Sequence, residues 1–196
     1  MLFCGIDLHS NNSFIVITDE ADRVVYSRRH ASRLAEILEA IAPFGKELSG
    51  IAVESTFNWY WLIDGLQEQG YSVHLVNTVA VKQYDGMKHR GDESDAKHLA
   101  HLLRLGLLPE GYIMPKDRRA MRDLARKRMQ LVQQRSTQII TIESAMQRYT
   151  DARANSNTIK QLTEADLSQL NLHTTVVLGL QTNLAVMHAL QRLCNN

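Results

Sequence analysis

Cysteine is scarce in this chain: Cys4 and Cys194 stand near opposite ends of 196 residues. Neither the number nor the spacing suits a disulfide framework or a thiolate zinc site, which points to a reducing, cytoplasmic setting. Long apolar runs are missing as well, so no bilayer-spanning segment is expected. The opening stretch MLFCGIDLHS reaches an acid without a basic leader, which does not support secretion. Charge of one sign is not in excess. With 22 Lys+Arg against 21 Asp+Glu the net charge is +1, so a polyanionic partner has to be met by local clustering of bases. Internal repeats and low-complexity tracts are lacking. What remains is 44% hydrophobic and 22% charged residues, a composition for one compact globular domain with a smaller appendage.

LFCGIDLH, SFIVITDE and RVVYSRRH are short β-rich runs separated by polar turn residues, which predicts an antiparallel meander. The period then changes. Leu34, Ile37, Leu38 and Ile41 recur at helical spacing, with Ser32 placed to cap the helix and Pro43 and Gly45 to stop it. GIAVES reads as a buried parallel strand, NWYWLIDGLQEQG as a helix, YSVHLVN as a strand, and TVAVKQYDGMK as a short helix or loop. A helix follows from Asp92 to Gly106, with Leu99, Leu102 and Leu103 on one side. The order β β β α β α β α is an α/β layer fold in which a meander is extended by parallel strands through crossover helices, the order of the ribonuclease H-like fold.

After Pro115 the texture shifts, dividing the chain into residues 1–114 and 115–196. From Lys116 to Tyr149 there is no Gly or Pro, and Met121, Leu124, Leu131, Ile139, Ile142, Met146 and Tyr149 form an approximate helical stripe. DARANSNT breaks the pattern, TEADLSQL reads as a short capped helix, and TTVVLGLQTNLAVMHALQRL as a final helix. A helical hairpin or coiled-coil extension is expected.

Four carboxylates have notable places. Asp7 lies in the first strand between Ile6 and Leu8, Glu54 ends the fourth, and Asp92 and Asp95 are three apart at a helix start. If the first and fourth strands are neighbours, Asp7 and Glu54 stand side by side, and the Asp92 helix can pack across that edge. Converging carboxylates repel and lose hydration, a penalty that a divalent cation removes. Hard oxygen ligands favour magnesium or manganese, and such ions serve phosphodiester chemistry. A plainer role is open for Asp92, Glu93 and Asp95, since acids in a first helical turn favour the dipole and cap free N–H groups. Glu93 is expected to face solvent, outside the site.

With those residues in place, GIDLHS, AVESTFNWYWLIDGLQEQGYSVHLVN, RGDESDAKHLAHLLRLGLLP and the basic run RDLARKRMQLVQQRSTQI give the chain a resemblance over most of residues 3–135. It resembles a DEDD transposase of the insertion-sequence family that includes the Piv invertase and the bridge-RNA-guided recombinases. The resemblance implies a RuvC-like catalytic domain, Asp7, Glu54, Asp92 and Asp95 as catalytic magnesium ligands, and DNA strand cleavage and rejoining as the reaction. It also implies a guide (bridge) RNA beside DNA and assembly as a dimer or tetramer. Members of that family carry a serine-bearing domain beyond the helical segment, and residues 1–196 include no match to it. His89, Arg90 and Gly91 depart from the family's commoner Lys-Thr pattern before Asp92.

Lys116, Arg118, Arg119, Arg122, Arg126, Lys127, Arg128 and Arg135 concentrate positive charge that only Asp117 and Asp123 offset, which suits a phosphate backbone. Lys82, Lys88, Arg90 and Lys97 either add to that groove or pair with the acids. The aromatics of FNWYW invite base stacking, with core packing the stronger expectation. His74, His89, His98 and His101 read as surface or packing residues. Two other functions are compatible with these features: a self-sufficient, structure-selective nuclease, and a nucleic-acid-binding oligomerisation module without chemistry of its own.

Overall fold

The computed structural model describes residues 1–81, 91–150 and 153–195. It forms two compact units, Met1–Ile113 and Met114–Asn196. The first holds β1 (Leu2–Leu8), β2 (Asn12–Asp19), β3 (Val24–Ala31), α1 (Leu34–Ile41), a 3-10 turn at Ala42–Phe44, β4 (Leu48–Glu54), α2 (Tyr60–Glu68), β5 (Val73–Val76), α3 (Thr78–Val81) and α4 (Asp92–Arg104). The sheet order is β3-β2-β1-β4-β5. β1 pairs antiparallel with β2 and β2 with β3, whereas β1 and β4, and β4 and β5, run parallel. This is a ribonuclease H-like mixed sheet with crossover helices.

Alternation along β1 sorts its side chains to two faces. Cys4, Ile6 and Leu8 join Ile15, Ile17, Ile51 and Val53 in the larger core, covered by Ile37 and Ile41 of α1 and Leu62, Ile63 and Leu66 of α2. Burial pushes the Cys4 thiol far up, so it stays protonated as a small apolar side chain. Gly5 and Asp7 point to the other face, where Ala52, Val76 and Leu99 make a smaller cluster under α4. A Cβ at Gly5 would lie 1.9 Å from the Ala96 carbonyl oxygen and 2.8 Å from the Ala100 nitrogen, so α4 rests on the bare backbone of β1. Gly91, at φ 121°, supplies the turn that enters α4, a conformation that side chains rarely adopt.

The expected cap of α1 is corrected. Ser32 does not cap α1: Arg33 holds the N-cap position without a side-chain bond, and Ser32 Oγ instead meets Ser13 Oγ at 2.8 Å and donates to the His9 carbonyl at 2.9 Å. The long-range bond ties β2 to the chain leaving β1, an arrangement that local spacing does not reveal. Residues 82–90 lie outside the described residues, and with them Lys82, Lys88, His89 and Arg90. Beyond α4, the chain runs along the free side of β5: Glu110 bridges Val76, Gly111 N donates to the Leu75 carbonyl at 2.6 Å, and Asn77 N to the Pro109 carbonyl at 2.8 Å.

The second unit comprises α5 (Lys116–Tyr149), α6 (Ser156–Gln161), α7 (Glu164–Ser168) and α8 (Thr174–Asn195). Its core joins Ile139, Ile142 and Met146 of α5 to Leu180, Leu184 and Met187 of α8, with Ile159 and Leu167 from the short helices. The expected stripe is therefore buried only in its second half, while Met121, Leu124 and Tyr149 are exposed. A helix at Ser156–Gln161 replaces part of the expected break. Asn155 caps it by accepting from the backbone N–H groups of Asn157 and Thr158. Thr163 and Asp166 form a reciprocal capping box at α7.

Candidate active site

The site is assembled where β1, β4 and α4 meet. β1 and β4 run parallel in register, Ile6 opposite Val53, so the next residues, Asp7 and Glu54, come side by side on the α4 face. Asp7 is buried, with 2% of its surface exposed. A buried carboxylate is costly unless paired, and Asp7 has two partners. His9 Nε2 lies 3.1 Å from its Oδ2, and Glu54 shares a side-chain hydrogen bond with it. Burial, that bond, and the negative charges of Asp7 and then Asp95 together push the Glu54 carboxyl up to about 8. Burial and the shared hydrogen bond thus favour the protonated form of Glu54.

Asp92 is shared between an imidazole and a guanidinium. His9 Nε2 is 3.5 Å from its Oδ1, and an Arg29 Nη is 2.7 Å from its Oδ2. Arg29 is itself fixed: its other Nη donates to Asn12 Oδ1 at 2.9 Å, and the guanidinium lies 5.7 Å from the Phe14 ring centre. The register of β2 and β3, with Phe14 opposite Arg29, produces that stacking. Both Asp92 oxygens are therefore engaged across the sheet, and no side chain caps α4, whose N-cap is Gly91. Ser94 Oγ donates to the Gly91 carbonyl at 2.7 Å, a local turn role.

Among the described residues, one ligand atom each from Asp7, His9 and Asp92 lie within 4.8 Å of one another. Glu54 and Asp95 stand outside that trio and are joined to it electrostatically, Glu54 through Asp7 and Asp95 through its charge on Glu54. Glu93 is exposed, as anticipated, yet accepts a bond from Ser27 Oγ that ties α4 to β3. The far end of α4 is held by His101 Nδ1, 2.7 Å from Asp22 Oδ2, and by Arg104 beside the same carboxylate. His74 pairs with Glu110 at 2.8 Å. Sequence reasoning missed His9 and Arg29. His9 stands two residues beyond Asp7, a period-2 signal that was available; Arg29 emerges only once the register across β2 is known.

The donor set fits a hard divalent cation. Burial and the crowding of carboxyl groups raise Glu54 to about 8, and a divalent cation held through carboxylate oxygens would relieve that crowding.

The basic residues of α5 belong to the helical unit. Lys116, Arg118, Arg126, Lys127 and Arg128 are exposed and Arg122 is half-buried. Arg119 departs from that surface: it is buried and donates Nε–H to the Met114 carbonyl at 2.8 Å. Arg135 is half-buried against α8, where its Nη1 donates to Gln191 Oε1 at 2.9 Å. A backbone carbonyl claims the first and a helix partner the second, which charge counting along the sequence does not register. Of the FNWYW aromatics, Trp59 is in the core and Tyr60 and Trp61 pack against it, while Phe57 is outside.

No helix among the described residues is long and apolar enough to cross a membrane. No curated protein matches the chain. Among solved structures, T. thermophilus RuvC in complex with a Holliday junction substrate is similar at 17% identity and a TM-score of 0.43, covering 57% of this chain and 99% of that one. The family model DEDD_Tnp_IS110, described as a transposase, matches residues 4–151. The chain therefore belongs to the DEDD transposase family.

Proposed function

We propose that this chain is the metal-dependent catalytic part of a DNA transposase, cleaving and rejoining DNA strands during insertion-sequence transposition under guidance by an RNA. What supports this reading is the close grouping of Asp7, His9 and Asp92, with Glu54 bonded to Asp7 and Asp95 acting on Glu54 through its charge, in a chain of the transposase family. Asp7, Glu54, Asp92 and Asp95 would hold magnesium or manganese, with His9 beside them. Bound there, the ion supplies Lewis-acid polarisation of a phosphodiester. The protein's part is to place the acids. Asp7 is fixed by its strand, Glu54 by the parallel pairing, and Asp92 by the pull of His9 and Arg29 on its two oxygens. Asp7 is shielded from water, which strengthens its interaction with any cation.

The exposed bases of α5 serve DNA or guide RNA as a phosphate-binding stripe, and the helical unit serves assembly of a homodimer or homotetramer in the cytoplasm. A serine-bearing domain completes the reaction in this reading. The test is cleavage of a DNA substrate carrying insertion-sequence ends, with magnesium, with and without guide RNA, by the full-length protein. Metal-dependent strand cleavage lost in Asp7→Asn supports the proposal; metal-independent cleavage or undiminished activity of that variant overturns it. Cleavage of branched DNA by residues 1–196 alone would instead identify a self-sufficient structure-selective nuclease.

A further inference from the structure

Asp7, Phe14 and Arg29 stand in one row across the sheet, Asp7 of β1 opposite Phe14 of β2 and Phe14 opposite Arg29 of β3. Two strand spacings separate the ends of the row, about 10 Å between backbones, and the length of the arginine side chain brings its head back to the acids. There one Nη lies 2.7 Å from Asp92 Oδ2. Exposed arginines that only pair with an acid are ordinary, and such pairs are worth little. Arg29 differs in how firmly it is held. Its other Nη donates to Asn12 Oδ1 at 2.9 Å, and the guanidinium lies over the Phe14 ring, 5.7 Å from its centre. A guanidinium has five N–H groups, and among the described residues these bonds take up two. The side chain is nonetheless 53% exposed. A planar cation with donors to spare is thereby fixed at the rim of the carboxylates, its rotamer freedom already lost.

We infer that Arg29 grips, through its remaining N–H groups, the phosphate of the DNA strand that is cleaved at the acidic group. The inference rests on the proposed DNA-cleaving function and names a residue of this chain that touches the substrate. Carboxylates repel a phosphodiester, so a strand settles beside them only where positive charge lies alongside. Arg29 supplies that charge next to Asp92, and its planar fork of donors matches a phosphate as the point charge of a lysine does not. Because the side chain is ordered before the strand arrives, little freedom is lost on binding. Arg29 binds and orients the phosphate; it takes no part in proton or phosphoryl transfer.

The test uses the full-length protein and a fluorescein-labelled insertion-sequence duplex on which wild-type cleavage has been mapped. The duplex is made once as natural DNA and once with a methylphosphonate, which lacks the charged oxygen, at the cleaved position. Binding is read by anisotropy with calcium in place of magnesium. Arg29→Gln is expected to weaken binding of the natural duplex by roughly 10- to 150-fold, the range for loss of a hydrogen bond to a charged group. The methylphosphonate should weaken the wild type by that factor more than it weakens Arg29→Gln, because the two changes remove one and the same interaction. Arg29→Lys, which keeps the charge and loses the fork, should fall between wild type and Arg29→Gln. A methylphosphonate that weakens all three proteins equally overturns the inference: Arg29 then serves only to hold Asp92, and the DNA-cleaving reading stands. Absence of wild-type cleavage overturns that reading, and the inference with it.

Discussion

Gly5 of β1 lies directly beneath Ala96 of α4, so close that a methyl group at Gly5 would come within 1.9 Å of the Ala96 carbonyl oxygen. This contact sets the height of α4 over the sheet, and with it the position of Asp92 and Asp95 relative to Asp7. Gly5→Ala should therefore lift the helix. The expected cost is about 1–3 kcal/mol or more, as for other overpacked cores, with a fall in Tm of roughly 3 to 12 °C and weaker manganese binding. Thermal unfolding and manganese titration of the variant check this; an unchanged Tm would mean that α4 is free to shift.

Asp7→Asn and Glu54→Gln each replace a site carboxyl by an amide of nearly the same shape. Each should lower magnesium-dependent strand cleavage by at least about 100-fold, in keeping with loss of a group that holds the cation, while the circular dichroism spectrum stays native. Retained cleavage in either variant would remove that residue from the site.

The pH dependence has a definite sign. Glu54 has an ordinary value of 4.5 and is pushed up to about 8 in the folded protein, first by burial and then by Asp7 and Asp95. A raised carboxyl stabilises the fold fully below the unfolded value, and that contribution is lost as pH rises through the folded value. The metal-free protein should accordingly lose stability between about pH 4.5 and 8. Magnesium or manganese should restore it, with affinity rising over the same interval because binding displaces the Glu54 proton. Tm measured against pH, with and without the ion, reads both effects, and Glu54→Gln should flatten the metal-free slope.

Charge reversal at Arg122, Arg126 and Arg128 should weaken nucleic-acid binding and lower the slope of log affinity against log salt by roughly 2 to 3 for duplex DNA, about 0.9 per phosphate contact. Arg119→Glu, at a buried position, should instead lower the stability of the helical unit. Identical slopes for the wild-type and reversed proteins would place the nucleic acid elsewhere.

Much of the sheet was legible because its strands are short, β-branched and cleanly separated, and because a meander followed by alternating helices and strands admits few topologies. The neighbouring places of Asp7 and Glu54 follow from that order alone. The cross-sheet reach of Arg29 to Asp92 was not legible, since it depends on which residues of β2 and β3 lie opposite, and register is not printed in local spacing. Ser32 shows the same limit: a good capping residue in the right place is drawn instead to Ser13 and the His9 carbonyl. In the helical unit, periodicity located α5 but did not show where its apolar stripe loses cover, because that depends on how far α8 runs beside it.

The chain segment that follows α4 lies against β5 and occupies the main-chain groups of Leu75 and Asn77 on that margin. The opposite margin, β3, carries Arg28 and Arg29 on its exposed length. A sheet with one border filled by its own backbone and the other lined by charged side chains is a poor template for accretion of strands from further molecules. Crowding many copies together should thus not by itself seed fibres through this sheet.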